Sequence, residues 1–451
     1  MSSEYIYLKN KKIKVSDLSK YVPFTMVNNS LIIIDICEFV CNSFFLMEKN
    51  QLKKSILINL LKNKSQKIKN IAAVVMLSKK EEIIRINCNY ISSEFSVLFK
   101  YSILFDYKKN KKQNFIDSSE INSVGIKYFI NLFYRLIRNR KLKQTQTIIR
   151  TWVDVSEKLY KEQFNKSTIL IYPFGLNFKR GLKYIKNTFS KYENVSFMGI
   201  PYSFKKFIKI FLSKKKDLAI LDFEIDGHIK HAKDLENYKT IYTSDDFISA
   251  VPALYNEILP RTKIINTCHG IGFYNPFNNY NEFYVINGQQ KKYYNYKNFD
   301  SIFYKIKNVS SIGKKKNDKF EKVIVIIDQG NLKKYNFIYE HKLQQKVYSK
   351  VIDVCEKNNI KLYIKPHPNR NKKESGKLFN RYPSLKAIEN LEELKSKNII
   401  FINLYSGAYN DYKNKGKFIF IKDEFFSARI FFGNQIKLIK INEIERELIL
   451  S

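Results

Sequence analysis

The sequence predicts an α/β protein with two Rossmann-like domains facing a cleft and an additional N-terminal α/β region. Three observations carry that expectation. From about residue 167, short apolar runs alternate with stretches of helical periodicity, the pattern of parallel sheets covered on both faces. A polar stretch, Gly313-Lys-Lys-Lys-Asn-Asp-Lys319, has no apolar periodicity and splits the alternation in two. In the second half a strand runs into Lys365-Pro366-His367-Pro368-Asn369-Arg370. That places a stiff, cationic turn at a strand's carboxyl end, where open α/β sheets bind their ligands.

Residues 1–160 form the additional region. Leu31-Ile-Ile-Ile34 and Ile71-Ala-Ala-Val-Val-Met76 read as buried strands. Ile83-Ile-Arg-Ile86 and Phe95-Ser-Val-Leu-Phe99 alternate like half-exposed ones. Gln51–Leu61 and Val124–Lys161 read as helices. The second is long, with Arg135, Arg138, Arg140, Lys141 and Lys143 on the faces its apolar residues leave. Those cations form either a solvated face or a surface for anionic lipid or glycan.

Residues 165–308 read as the first Rossmann-like domain. Strands are expected at Thr168–Ile171, Val195–Gly199, Leu218–Leu221, Lys239–Tyr242, Lys263–Ile265 and Glu282–Ile286. Helices are expected from Pro173-Phe-Gly175 to about Lys191, from Asp246 to Ile258, and after Asn287-Gly288. Residues 320–451 read as the second domain. Its expected strands are Val323–Ile327, Lys361–Lys365, Ile399–Ile402 and Lys417–Ile421. Its expected helices are Tyr339–Lys357, Leu391–Ser396 and Ala408–Lys415.

Composition bounds the function. The chain has 451 residues, 44% of them apolar, and a formal charge of +38. It is long enough for large buried cores, and its charge points to an anionic polymer, a membrane surface or an acidic substrate. The basic residues are spread along the chain, with no RNP pattern and no zinc-finger spacing, so nucleic acid is not an expected partner. The five cysteines have no paired spacing and read as reduced thiols of a cytoplasmic protein. Met1-Ser-Ser-Glu-Tyr5 does not open a signal peptide, and Leu31–Met47 is too short and, with Asp35 and Glu38, too charged to span a bilayer. The expected location is the cytoplasm, or the inner face of the cell membrane.

Four clusters at expected strand ends can carry chemistry. The Lys365, His367, Pro368 and Arg370 turn offers hydrogen bonds and charge to a phosphate, or a histidine capping its own turn. Tyr405-Ser406-Gly407-Ala408 joins a strand to a helix, giving Ser406 a phosphate contact, an N-cap role, or both. Thr267-Cys268-His269-Gly270-Ile271-Gly272 places His269 as a general base, or as a loop histidine, beside the close approach Gly270 allows. Asp222-Phe-Glu224-Ile-Asp226-Gly227-His228 offers Asp226 as a second base, or as a turn aspartate; Thr243-Ser-Asp-Asp246 is a similar cluster. Nucleotide P-loop, dinucleotide, His-Glu-x-x-His and Cys-x-x-Cys motifs are missing, so neither a metal nor a cofactor is expected.

On these residues the chain, over about 165–451, resembles bacterial GT-B glycosyltransferases that use CMP- or CDP-activated donors. His367-Pro368 and Ser406 look like the phosphate-binding His-Pro motif and serine turn of bacterial sialyltransferases. Ile225-Asp226-Gly227 looks like their catalytic acid before a glycine. Thr267-Cys268-His269-Gly270, with cysteine where tryptophan is usual, and Phe283–Tyr294 look like CDP-glycerol glycerophosphotransferases of teichoic acid and capsule synthesis. The resemblance implies metal-independent, inverting transfer of a sialic acid or related nonulosonate from a CMP donor to an anionic surface glycan or glycolipid. Its alternative is transfer of a polyol phosphate from CDP-glycerol or CDP-ribitol. Charge alone leaves a different class open, a non-catalytic polyanion- or membrane-binding protein.

Overall fold

The fold is that of a computed structural model, which describes residues 4–45, 51–87, 115–116, 118–137, 145–151, 157, 159–171, 178–244, 259–268, 270–273, 280–296, 302–304, 321–367, 372–389, 391–394 and 398–450. It forms two compact units. The first comprises Met1–Val15, Asn28–Ile286 and Gln290–Lys305; the second comprises Ser16–Val27, Asn287–Gln289 and Ile306–Ser451.

The first unit opens with strands β1 (Tyr5–Leu8), β2 (Lys12–Lys14) and β3 (Ile83–Asn87), an antiparallel sheet of order β2-β1-β3. Its main sheet contains β4 (Thr147–Thr151), β5 (Thr168–Ile171), β6 (Val195–Phe197), β7 (Thr240–Thr243), β8 (Lys263–Thr267), β9 (Glu282–Val285) and β10 (Ile302–Tyr304). The order is β10-β9-β8-β7-β4-β5-β6, and every pair is parallel. This is a doubly wound, Rossmann-like sheet. It starts earlier than residue 165, because β4 lies between β5 and β7 at its centre. Ile149, Tyr160, Phe164, Ile169, Ile171 and Val195 cluster against it.

Three expected strands are helices. Leu31–Ile34 opens the helix Leu31–Phe45, and Ile71–Met76 lies within Gln66–Ser78. An apolar run does not by itself separate a buried strand from a buried helix. Ile33, Ile34, Ile36, Cys37, Val40 and Cys41 are buried on several sides of the first helix. The second starts at Ser65, whose side chain accepts from the Ile68 N–H, and Ala72-Ala73 favours helix. Leu218–Leu221 belongs to the helix Lys216–Lys233. Ala219, Ile220, Phe223, Gly227, His228 and His231 are among its buried residues, a helical and not an alternating pattern. The long helix expected over Val124–Lys161 is the helix Ser118–Leu136, and β4 follows within the expected span. The helix expected over Gln51–Leu61 runs Gln51–Lys64, and the strand expected over Ile83–Ile86 is β3. Phe95–Phe99, Pro173–Gly175, Asp246–Ile258, 138–144 and 313–319 lie outside the described residues.

The second unit contains β11 (Lys322–Ile327), β12 (Lys361–Lys365), β13 (Lys386–Ala387), β14 (Asn398–Asn403), β15 (Lys417–Lys422) and β16 (Lys437–Lys440). All pairs are parallel, in the order β13-β12-β11-β14-β15-β16. This is again a doubly wound sheet, with Val323–Ile327 and Ile399–Ile402 buried at its centre. The helix Ile338–Lys357 follows β11, and the expected helix at Leu391 is a 3-10 turn, Leu391–Leu394.

Residues from the start of the chain pack into this second unit. Ser19 Oγ donates to Asn336 Oδ1 at 3.2 Å, and the Thr25 N–H donates to the Glu340 carboxylate. The Thr25 hydroxyl donates to the Tyr405 hydroxyl at 3.4 Å. Local periodicity carries no sign of such long-range packing.

Candidate functional site

In the second unit the winding reverses between β11 and β14, and ligands of doubly wound sheets bind beyond the carboxyl ends at that point. Three segments emerge there, namely Asp328-Gln329-Gly330 after β11, Pro366-His367 after β12, and Leu404 to Gly407 after β14.

Asp328, 1% exposed, organises the first two. Its Oδ2 accepts the His367 backbone N–H at 3.0 Å, and its own N–H donates to the Lys365 carbonyl at 3.2 Å. Its Oδ1 accepts from Gln344 Nε2 at 3.0 Å and the Tyr348 hydroxyl at 2.7 Å. Gly330 has φ +78°, and a Cβ there would come 3.0 Å from His367 Nδ1. The imidazole therefore lies against a residue without a side chain, in backbone geometry that glycine adopts freely.

The β14 loop is joined to the same set. Gln329 Nε2 donates to Asn403 Oδ1 at 3.1 Å. That oxygen also accepts the Ser406 N–H at 2.8 Å, while Asn403 Nδ2 donates to the Ser406 carbonyl at 3.1 Å. Ser406 Oγ accepts the Ala408 N–H at 3.2 Å, but the N-cap position is Gly407 and no side chain caps this helix, so Ser406 stands one residue before the N-cap role read from the sequence. The helix that follows is Ala408–Tyr412, shorter than the expected Ala408–Lys415, so its dipole adds little anion attraction. Lys365 Nζ donates to the Glu389 carbonyl at 3.0 Å. The structure thus ties His367 and Ser406 to one sheet edge through Asp328, Gln329 and Asn403. Pro368 and Arg370 lie outside the described residues.

Beside this set, burial pushes the Glu340 carboxyl up to about 7. Burial also raises the Tyr405 hydroxyl, which has Glu340 nearby.

In the first unit, His269 lies outside the described residues, but its neighbours are placed. The Cys268 N–H donates to the Tyr284 carbonyl at 2.9 Å. Buried Gln290 donates to the carbonyls of Gly270 at 2.7 Å and Gly272 at 2.9 Å, which holds residues 270–272. Lys62 donates to the Phe273 carbonyl of the same turn, and burial pulls its ammonium down to about 7.

Asp226 is not at a strand end. It sits in the helix Lys216–Lys233, bonded to Lys230 Nζ at 2.8 Å and 3.6 Å from Lys206 Nζ. Gly227 serves packing there, since a Cβ would meet the Tyr202 ring at 2.3 Å. Glu224 and Asp217 are the buried acids of that helix, and Asp217 accepts the N–H groups of Phe115 and Ile116. Burial pushes Glu224 up, but Lys127 at 2.6 Å and His228 at 3.5 Å together hold it at about 2. Burial takes His228 down to about 4.

Asp328, Gln329, Asn403 and Lys62 lie outside the four clusters that the sequence marks. Asp328 and Gln329 had a readable signal, a polar pair directly after the apolar run Val323–Ile327. Among the described residues no three His, Cys, Asp or Glu side chains are grouped to hold a metal, and no helix is long and apolar enough to cross a membrane.

No family model matches the chain, and no curated protein does. Among solved structures it is similar to a glycosyltransferase from Rickettsia africae ESF-5, at 10% identity over 68% of this chain and 87% of that chain, TM-score 0.40. It is similar to Methanocaldococcus jannaschii UDP-GlcNAc 2-epimerase in complex with UDP-GlcNAc and UDP, at 10% identity over 67% and 91%, TM-score 0.41. It is also similar to the E. coli heptosyltransferase WaaC with ADP-2-deoxy-2-fluoro heptose, at 10% identity over 67% and 99%, TM-score 0.30.

Proposed function

We propose that the protein is a GT-B glycosyltransferase that takes its sugar from a nucleotide-activated donor, with the nucleotide phosphate at the β11–β12–β14 edge. The observation that carries this reading is the Asp328-anchored placement of His367 at the point where the sheet's winding reverses. In the reaction, the bond between the sugar's anomeric carbon and the phosphate oxygen breaks. The electron pair goes to the phosphate, where His367, Lys365 and Ser406 stabilise the growing charge. A preorganised set suits this role because its donors do not have to reorient as charge develops.

The acceptor hydroxyl bonds to the anomeric carbon and loses its proton to a base on the first unit. His269 is the first choice and Asp226, engaged by Lys230 and Lys206, the second. The finer reading is a CMP donor carrying sialic acid or a related nonulosonate, an anionic bacterial surface glycan as acceptor, and inversion without a metal. The resemblance of Lys365–Arg370 and Ser406 to sialyltransferase motifs supports it.

The test is incubation with CMP-sugars, UDP-sugars, ADP-heptose and CDP-polyols, following nucleotide release. CMP release from a CMP-sugar is expected, together with its loss in His367→Ala at an unchanged far-UV spectrum. Nucleotide release from none of the donors, or full activity of His367→Ala, would overturn the reading.

A further inference from the structure

The helix Ser118–Leu136 is inverted relative to an ordinary surface helix. Its inward side carries Lys127, whose ammonium meets the Glu224 carboxylate at 2.6 and 2.7 Å. It also carries buried Asn131, whose side-chain oxygen accepts the Ile200 N–H at 2.9 Å. Ile126, Phe129, Ile130, Phe133 and Leu136, at helical spacing, point outward and are 41% to 74% exposed.

The helix Phe204–Leu212 extends this face. Phe207 packs inward, stacked on Tyr128 with ring centroids 4.7 Å apart, and Phe129 lies 6.2 Å from Phe207. Phe204, Ile208, Phe211 and Leu212 are exposed on the outer side. Soluble chains rarely keep so many large apolar side chains in one exposed patch unless something covers it.

The rim indicates what covers it. The stretch 203–216 contains Lys205, Lys206, Lys209, Lys214, Lys215 and Lys216 and no acidic residue. Lys205, Lys209, Lys214 and Lys215 are exposed. Aromatic and aliphatic side chains flanked by lysines match the boundary between acyl chains and acidic headgroups. A second copy of the chain would bring the same lysines against these, with like charges opposed.

We propose that the face formed by Ser118–Leu136 and Phe204–Leu212 docks the protein on an anionic lipid surface, with the apolar stripe entering the headgroup region. The contact is interfacial, since no described helix is long and apolar enough to cross a membrane. This inference does not depend on the reaction proposed above, and its readout is lipid binding alone.

The test is flotation of the full chain with vesicles of phosphatidylcholine alone and with phosphatidylglycerol added, at low and high salt. Binding is expected to the anionic vesicles and to weaken with salt. The Phe129→Ser/Phe133→Ser/Phe211→Ser variant should bind at least about tenfold more weakly, and Lys205→Glu/Lys209→Glu should bind weakly with reduced salt dependence. Both should keep the wild-type far-UV spectrum, and a melting temperature recorded alongside separates lost binding from the lost contacts of Phe129 and Phe211 with Phe207 and of Lys209 with Asp222. No flotation with any vesicle would overturn the proposal. So would a dimer in light scattering that the triple variant converts to monomer while its vesicle binding stays unchanged.

Discussion

The His367 backbone N–H and the Asp328 carboxylate, 3.0 Å apart, join the loops after two adjacent strands. The same carboxylate accepts from Gln344 and Tyr348 on the helix Ile338–Lys357, so one buried acid fixes two loops and a helix together. A histidine whose backbone is held in this way is preorganised relative to the sheet.

Asp328→Ala removes the acceptor of three donors, His367 N–H, Gln344 Nε2 and Tyr348 OH, inside the protein. Leaving buried donors without acceptors costs more than the bonds themselves contribute, so a loss of about 3 kcal/mol or more is expected. Asp328→Asn keeps one acceptor oxygen and should lose less. Urea unfolding of the three proteins decides this, and equal midpoints for wild type and Asp328→Ala would refute it.

Gly330→Ala tests the placement of the imidazole. The added methyl group must occupy φ +78° and come within 3.0 Å of His367 Nδ1. Backbone strain of about 1–2 kcal/mol follows, and the ring must shift. The expected result is a modest loss of stability with a drop of about tenfold in affinity for the donor's nucleotide, since 1.4 kcal/mol corresponds to that factor. Titration calorimetry with CMP measures it; unchanged affinity would remove His367 from the nucleotide site.

Asp226→Asn separates the two choices of base. The carboxylate makes partly exposed ion pairs with Lys230 and Lys206, interactions worth about 0–1 kcal/mol. If His269 is the base, kcat of Asp226→Asn stays within about twofold of wild type, while His269→Ala loses two or more orders of magnitude, roughly the contribution of general base catalysis. The reverse pattern would return the role to Asp226.

How far the chain could be read depended on how local each signal was. The four central strands of the second unit were legible, because runs such as Val323–Ile327 and Lys361–Lys365 are short, apolar and bounded by polar turns, while the edge strands β13 and β16 were not. The first part misled wherever an apolar run was all there was to read. Leu31–Ile34, Ile71–Met76 and Leu218–Leu221 carry β-favouring or mixed residues, yet their flanking spacing is helical. At the site, His367 and Ser406 stood out through prolines and glycine. Asp328, Gln329 and Asn403 did not, because their roles depend on bonds between strands distant in sequence. Packing of Thr25 on Glu340 across 315 residues leaves no local trace at all.

That last contact leads to a pH-dependent prediction. Burial raises the Glu340 carboxyl from 4.5 to about 7, against the Thr25 N–H that favours its charged form. In the unfolded chain the same group ionises near the ordinary glutamate value. Between these values the folded protein holds a proton that the unfolded chain has released, so stability falls as pH rises through the interval. The stabilisation is complete below the unfolded value and gone above about 7, an effect of about 3 kcal/mol at most. Glu340→Gln keeps an acceptor for the Thr25 N–H and stays neutral. Its melting temperature should match wild type near pH 5 and exceed it at pH 8. Lys62, which burial lowers to about 7, also titrates in this range, but it is present in both proteins and cancels in the comparison. Melting curves from pH 5 to 8 that run parallel for the two proteins would show that Glu340 is ionised in the fold throughout.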